Sequence, residues 1–216
     1  MLDPGYYNPS TEVHSVPLIA GKGQLKRKKG IITDVFEKGN WRGMAVDATD
    51  AYSHTATRVK RHFVMYEDKV VILLDEIKPK KDNTYIKTLY QTAYYPVYND
   101  QSGTVLIDGK KSRLILQFSG PERKISIGAS RSFGKSWIMN SWAKEQYISW
   151  YTVENEYKSN PSEPLITVMT PLDLQEGIKK VDIKRSKDSI KVVLSGGQMV
   201  QFNLKNGHWE IEMVVE

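Results

Sequence analysis

Cysteine is absent from the 216-residue chain, which excludes a disulfide framework, a thiolate metal site and a cysteine nucleophile. No apolar run approaches the ~18 residues of a membrane-spanning helix. No stretch carries a convincing helical period, and neither an internal repeat nor a low-complexity segment is present. The opening Met1-Leu2-Asp3-Pro4-Gly5 offers no basic n-region and no apolar h-region, so an export signal, if the protein is exported, is expected upstream of these residues.

What is present is an ordinary globular composition, 40% hydrophobic and 26% charged. The formal charge of +6 favours anionic partners, which could be nucleic acid, an acidic polysaccharide or merely solvent ions. None of the recognition motifs that would specify nucleic-acid binding occurs. A chain of this length suits one large all-β domain spanning residues 1–216, since sandwiches of roughly 200–250 residues commonly fold as single units.

Short runs rich in Val, Ile, Tyr, Thr and Trp alternate with turn residues throughout, the pattern of a mostly antiparallel β-sandwich or barrel. Asn206-Gly207 supplies the two positive φ angles of a type I′ hairpin. Folding the chain there sets Leu204 opposite Trp209, Phe202 opposite Ile211 and Val200 opposite Met213, with Lys205, Asn203 and Gln201 on the other face. A second hairpin is expected around Glu67-Asp68-Lys69, joining Thr57–Tyr66 to Val70–Leu74. That run does not alternate, which predicts a central strand buried on both faces. Asp108-Gly109 and Ser195-Gly196-Gly197 mark two further hairpins. Residues 21–30 and 154–163 read as loops.

The segment from Glu12 to Gln24, with His14-Ser15, an apolar strand and then Gly21, Gly23 and Gln24, resembles the "His-Asn, apolar strand, Gly, Gln" signature of heparinase II/III-like polysaccharide lyases. Ser15 stands where Asn is commoner. Asp47, Tyr52, Arg61 and the strand ending in Asp75-Glu76 resemble that family's "Asp, Tyr, Arg, strand, Asp" progression. The stretch from Pro164 to Pro171 resembles its late "Thr, apolar, Pro" strand. Together these cover most of the chain.

The resemblance implies the C-terminal β-sandwich of an exported lyase, periplasmic or extracellular. In that family the sandwich faces an upstream α/α toroid across a cleft that holds an anionic, uronic-acid-containing polysaccharide. The toroid would supply much of the catalytic machinery, so the sandwich by itself is expected to be inactive. β-Elimination needs a base for the C5 proton, an acid for the leaving oxygen and a group that stabilises the charged carboxylate. The resemblance also implies a metal, often zinc, held by two His and one Asp, a ligand set that suits this ion. Asp3 and His14 match two of those positions, and the remaining histidine belongs upstream. Tyr7, between them, becomes a candidate acid/base or substrate-binding residue.

Blander readings stand beside each of these. Asp3 in Asp-Pro-Gly is also a common turn carboxylate, a histidine on an apolar strand is commonly a hydrogen-bonded, half-buried residue, and Tyr7 could simply pack. The Lys26–Lys29 run could meet sulfate or carboxylate groups or form a solvated loop. Trp137, Trp142 and Trp150 could stack on sugars or fill a core. His54, His62 and His208 have no ligand-like spacing. The alternative function is a non-catalytic carbohydrate-binding or structural sandwich, and the sequence does not choose among alginate, heparan-type and other uronate polymers.

Overall fold

The computed structural model describes residues 10–67, 69–135, 145–160, 162–177 and 181–214, with backbone alone for 131–135, 145–149 and 213–214. In chain order the first strands are β1 (Pro17–Ile19), β2 (Ile31–Lys38), β3 (Trp41–Asp47), β4 (Ala56–Tyr66), β5 (Val70–Pro79) and β6 (Tyr85–Thr92). They are followed by β7 (Pro96–Asn99), β8 (Thr104–Asp108), β9 (Ser112–Ser119), β10 (Arg123–Lys135) and β11 (Glu145–Lys158). The last are β12 (Leu165–Asp173), β13 (Asp182–Arg185), β14 (Ser189–Val193), β15 (Met199–Lys205) and β16 (His208–Val214). Helical structure among the described residues is confined to two 3-10 turns, Thr11–Val13 and Thr49–Tyr52.

Three antiparallel sheets form. The largest has eight strands in the order β2-β3-β4-β5-β12-β9-β8-β7. One four-stranded sheet runs β1-β6-β11-β10, and a C-terminal meander runs β13-β14-β15-β16. The eight-stranded sheet is the middle layer, because its residues join apolar clusters on both sides. Val64, Ile72, Leu74, Ile166 and Val168 pack with Val192, Val200, Phe202 and Trp209 of the meander. From the opposite face, Leu73, Leu116 and Met169 pack with Tyr90 and Val153 of the other small sheet. This layering explains the unbroken run in β5: Ile72 and Leu74 serve one core, Leu73 the other, and a strand flanked by two layers has no solvent face to alternate with.

The expected hairpins form where turn chemistry placed them. Asn206 and Gly207 have φ of 53° and 76°, and the register sets Leu204 against Trp209, Phe202 against Ile211 and Val200 against Met213. β4 pairs with β5, β8 with β9, and β14 with β15. Trp150 is 3% exposed and so is a core residue; Trp137 and Trp142 lie outside the described residues.

One expected loop is corrected. Residues 154–158 are not loop but the end of β11, paired with both β10 and β6. Their polarity conceals a two-residue period. Val153, Asn155 and Tyr157 are buried, while Glu154 and Glu156 share the far face with Lys87, whose Nζ lies 2.9 and 3.8 Å from their carboxylates. Residues 21–30 do form an irregular connection, in which Lys28 pairs with Asp50 at 3.1 Å and both side chains are largely exposed.

Candidate functional site

Asp3 and Tyr7 lie outside the described residues. His14, half-buried, immediately follows the first 3-10 turn. It belongs to a segment held from three directions. From the four-stranded sheet, the Gln91 side-chain amide donates to Glu12 O at 2.9 Å, and the Gln91 backbone N–H donates to Ser15 Oγ at 3.1 Å. From the middle sheet, Arg61 Nη1 donates to Ser15 O at 3.1 Å. From the second 3-10 turn, the Tyr52 hydroxyl donates to Pro17 O at 2.7 Å.

Each clamp residue is itself fixed. The Gln91 carbonyl oxygen accepts from Thr152 Oγ1 at 2.7 Å, so both ends of its amide are committed. Arg61 grips Asp75 in bidentate fashion, Nε to Oδ1 at 2.5 Å and Nη2 to Oδ2 at 2.9 Å. β4 and β5 set Arg61 directly opposite Asp75, on the face toward the small sheet, so the pair forms wherever the register is correct. Burial disfavours the charged guanidinium, but the Asp75 carboxylate outweighs it and holds the Arg61 pKa above its ordinary value. Downstream, Gly23 lies so near Thr11 that any Cβ would meet the Thr11 side chain, and Gln24 N–H donates to Thr11 Oγ1 at 2.9 Å. The glycine is required by close approach and not by backbone angle.

Several of the residues that carried the family resemblance therefore lie together. Tyr52 and Arg61 bond directly to the segment that holds His14, Asp75 reaches it through Arg61, and Thr167 of the late strand shares a 2.6 Å hydrogen bond with the Tyr90 hydroxyl. Gln91 gave no sequence signal, being one polar residue in a strand of mixed polarity. Burial raises the pKa values of Tyr52, Tyr90 and Tyr157.

Next to the clamp, the chain leaving Thr92 exposes Tyr94 at 41% and Tyr95 at 63%. Tyr95 meets Tyr151 edge to face, with ring centroids 5.2 Å apart. Tyr151 pairs with Thr92 across β11 and β6, so this aromatic group lies one residue beyond Gln91. Elsewhere, an apolar groove of about 500 Å³ lined by Val35, Met44, Phe63, Met65 and Val71 lies on β2 to β5, with no convergent charge suited to an anionic chain.

The other histidines behave differently from one another. His62 is 1% exposed in the core beneath the meander. His208 is half-exposed, with Nδ1 3.7 Å from Glu76 Oε1, and Arg58 Nε sits 2.5 Å from the same oxygen. Among the described residues no three His, Asp or Glu side chains gather into a group able to hold a metal ion. The described residues alone therefore do not make a zinc site, and no chemical step is routed through one. No described helix is long and apolar enough to cross a membrane.

No protein-family model and no curated protein matches the chain. Solved structures do. A heparinase III superposes with a TM-score of 0.67 at 18% identity, over 90% of this chain and 30% of that one. A heparan sulfate lyase from Pedobacter heparinus gives 0.62 at 13% identity, over 95% and 30%, and another heparinase III gives 0.62 at 14%, over 94% and 30%. The chain thus spans about a third of the length of the structures it matches. The all-β architecture of this chain is thus the fold that heparinase III and heparan sulfate lyase structures carry over about 30% of their length.

Proposed function

We propose that the chain is the β-sandwich of a polysaccharide lyase that cleaves uronic-acid-containing glycosaminoglycans by β-elimination. The fold likeness over 90% of the chain carries this reading. The clamp supports it, because four hydrogen bonds from three elements fix the segment that presents the half-buried His14. Rigid presentation of a reacting or ligating side chain is what a catalytic site demands. His14 is the principal site residue in this reading. With Asp3 it contributes two zinc ligands to a set completed by another domain, and Tyr7 serves as acid or base.

In the reaction the base takes the C5 proton, the C4–O bond breaks, the leaving oxygen is protonated and a C4–C5 double bond remains. The remaining catalytic groups, an α/α toroid and an exported location belong to the same proposal, as does inactivity of the sandwich alone. The test is ultraviolet detection of the unsaturated uronate on heparan sulfate, heparin and alginate, comparing the product of the complete reading frame with this chain alone. Activity in the longer protein only is the expected result. Inactivity of both on every uronate polymer would overturn the reading.

The exposed Tyr94 and Tyr95, beside the partly buried Tyr151, favour a second reading, a carbohydrate-binding module, because stacked sugar rings need accessible aromatic faces. Under that reading Tyr95→Ala lowers polysaccharide affinity severalfold in calorimetry while no elimination product forms with any partner domain.

A further inference from the structure

The interior between the four-stranded sheet and the middle sheet is not one apolar core. One cluster contains Ile19, Val59, Ile77, Ile86 and Leu165, and a second contains Leu73, Val105, Leu116, Phe118 and Val153. A polar belt passes between them. On the middle sheet it consists of Arg61, Asp75 and Thr167, and on the small sheet of Thr88, Asn155, Tyr157 and Tyr90. Thr88 and Asn155 face each other across β6 and β11, and Tyr157 lies two residues beyond Asn155 on the same side.

Part of this belt is satisfied within the protein, through the Arg61–Asp75 pair and the Tyr90–Thr167 bond. The remainder is not. Asn155 Oδ1 and Nδ2 are buried without a protein hydrogen-bond partner, and the Thr88 and Tyr157 hydroxyls, buried beside them, have no partner beyond one another. Thr88 and Asn155 are 0% exposed and Tyr157 is 4% exposed. A buried amide left bare at both ends would remove an appreciable share of a domain's net stability. Packing cannot account for them either, since Val and Leu would fit a dry interior better than Thr and Asn.

The chemistry of the partner follows from the donors. Asn155 presents one acceptor and one amide donor group, and the two hydroxyls can each do either. The partner must therefore both donate and accept. It must also be neutral, because Asp75 is already neutralised by Arg61 and an added ion would remain uncompensated in a low-dielectric interior. Enclosure by two sheets limits its size. We propose that Thr88, Asn155 and Tyr157 form an internal hydration site that holds at least one ordered water beside the Arg61–Asp75 pair, of the kind that bridges otherwise unpartnered buried groups. Arg61, part of the same belt, donates to Ser15 O, which ties the belt to the segment that holds His14.

A high-resolution crystal structure of this chain tests the proposal, with water-to-protein cross-relaxation at the Asn155 side-chain amide as a solution readout. The expected result is solvent density within hydrogen-bond distance of the Asn155 amide and of at least one hydroxyl, with a cross-relaxation signal that disappears in Asn155→Leu. Direct hydrogen bonds from both ends of the Asn155 amide to protein groups, with no solvent beside it, would overturn it. So would density and anomalous signal of an ion at that position.

Discussion

His62 offers a pH experiment whose magnitude follows from its surroundings. Its ring lies 1% exposed against Phe202, edge to face at 6.3 Å, and neither nitrogen has a hydrogen-bond partner. Burial, reinforced by the positive charges of Lys60 and Arg58, pushes its pKa down to about 3. The folded protein thus binds a proton at His62 far more weakly than the unfolded chain does, where the imidazole titrates near its ordinary value. The neutral ring favours folding fully above that ordinary value, and this contribution is lost progressively as pH falls toward the folded pKa. Between about pH 7 and about pH 5 the loss amounts to ~2 kcal/mol, at 1.4 kcal/mol for each pH unit in which the proton binds only the unfolded chain. Urea denaturation at both values, for the wild type and for His62→Leu, isolates this term from carboxylate titrations common to both proteins. The variant should match or exceed the wild type at neutral pH, since an apolar ring-sized side chain leaves no nitrogen bare. Its advantage should grow by ~2 kcal/mol at the lower pH. Parallel stability curves for the two proteins would refute the reasoning.

Two further perturbations examine the layers. Arg61→Met leaves the Asp75 carboxylate buried without its partner and should cost about 3–5 kcal/mol in urea denaturation; adding Asp75→Leu should restore most of the loss, because an apolar pair can replace a buried ion pair. Trp209→Ala empties the centre of the core between the meander and the middle sheet and should cost about 3–5 kcal/mol, seen as a lower denaturation midpoint with an unchanged slope.

Local chemistry made some of the fold legible in advance. The Asn206-Gly207 turn fixes a two-residue period, so one dipeptide sets the faces of Phe202, Leu204 and Trp209 together. The unbroken Val70–Leu74 run revealed a strand with two buried faces, though not which layers covered it. Residues 154–158 were less legible: glutamates on one face and a buried asparagine on the other give a polar stretch whose alternation is visible only once Lys87 and the interior are located. The candidate site was half legible for a related reason. Tyr52, Arg61 and Asp75 carried the family resemblance, but their joint placement depends on three strands and a 3-10 turn meeting the segment around Ser15 and Pro17. Gln91 becomes informative only when Glu12 and Thr152 lie on either side of its amide. The two apolar clusters divided by a polar belt are likewise a property of sheet stacking, which no single strand encodes.

The proposed function makes His14 its principal site residue. Its most direct test is the rate of unsaturated-uronate formation by the His14→Ala variant of the complete gene product on heparan sulfate, with folding verified by circular dichroism. Loss of product formation in a folded protein is the predicted result. A folded variant that retains the wild-type rate would contradict it.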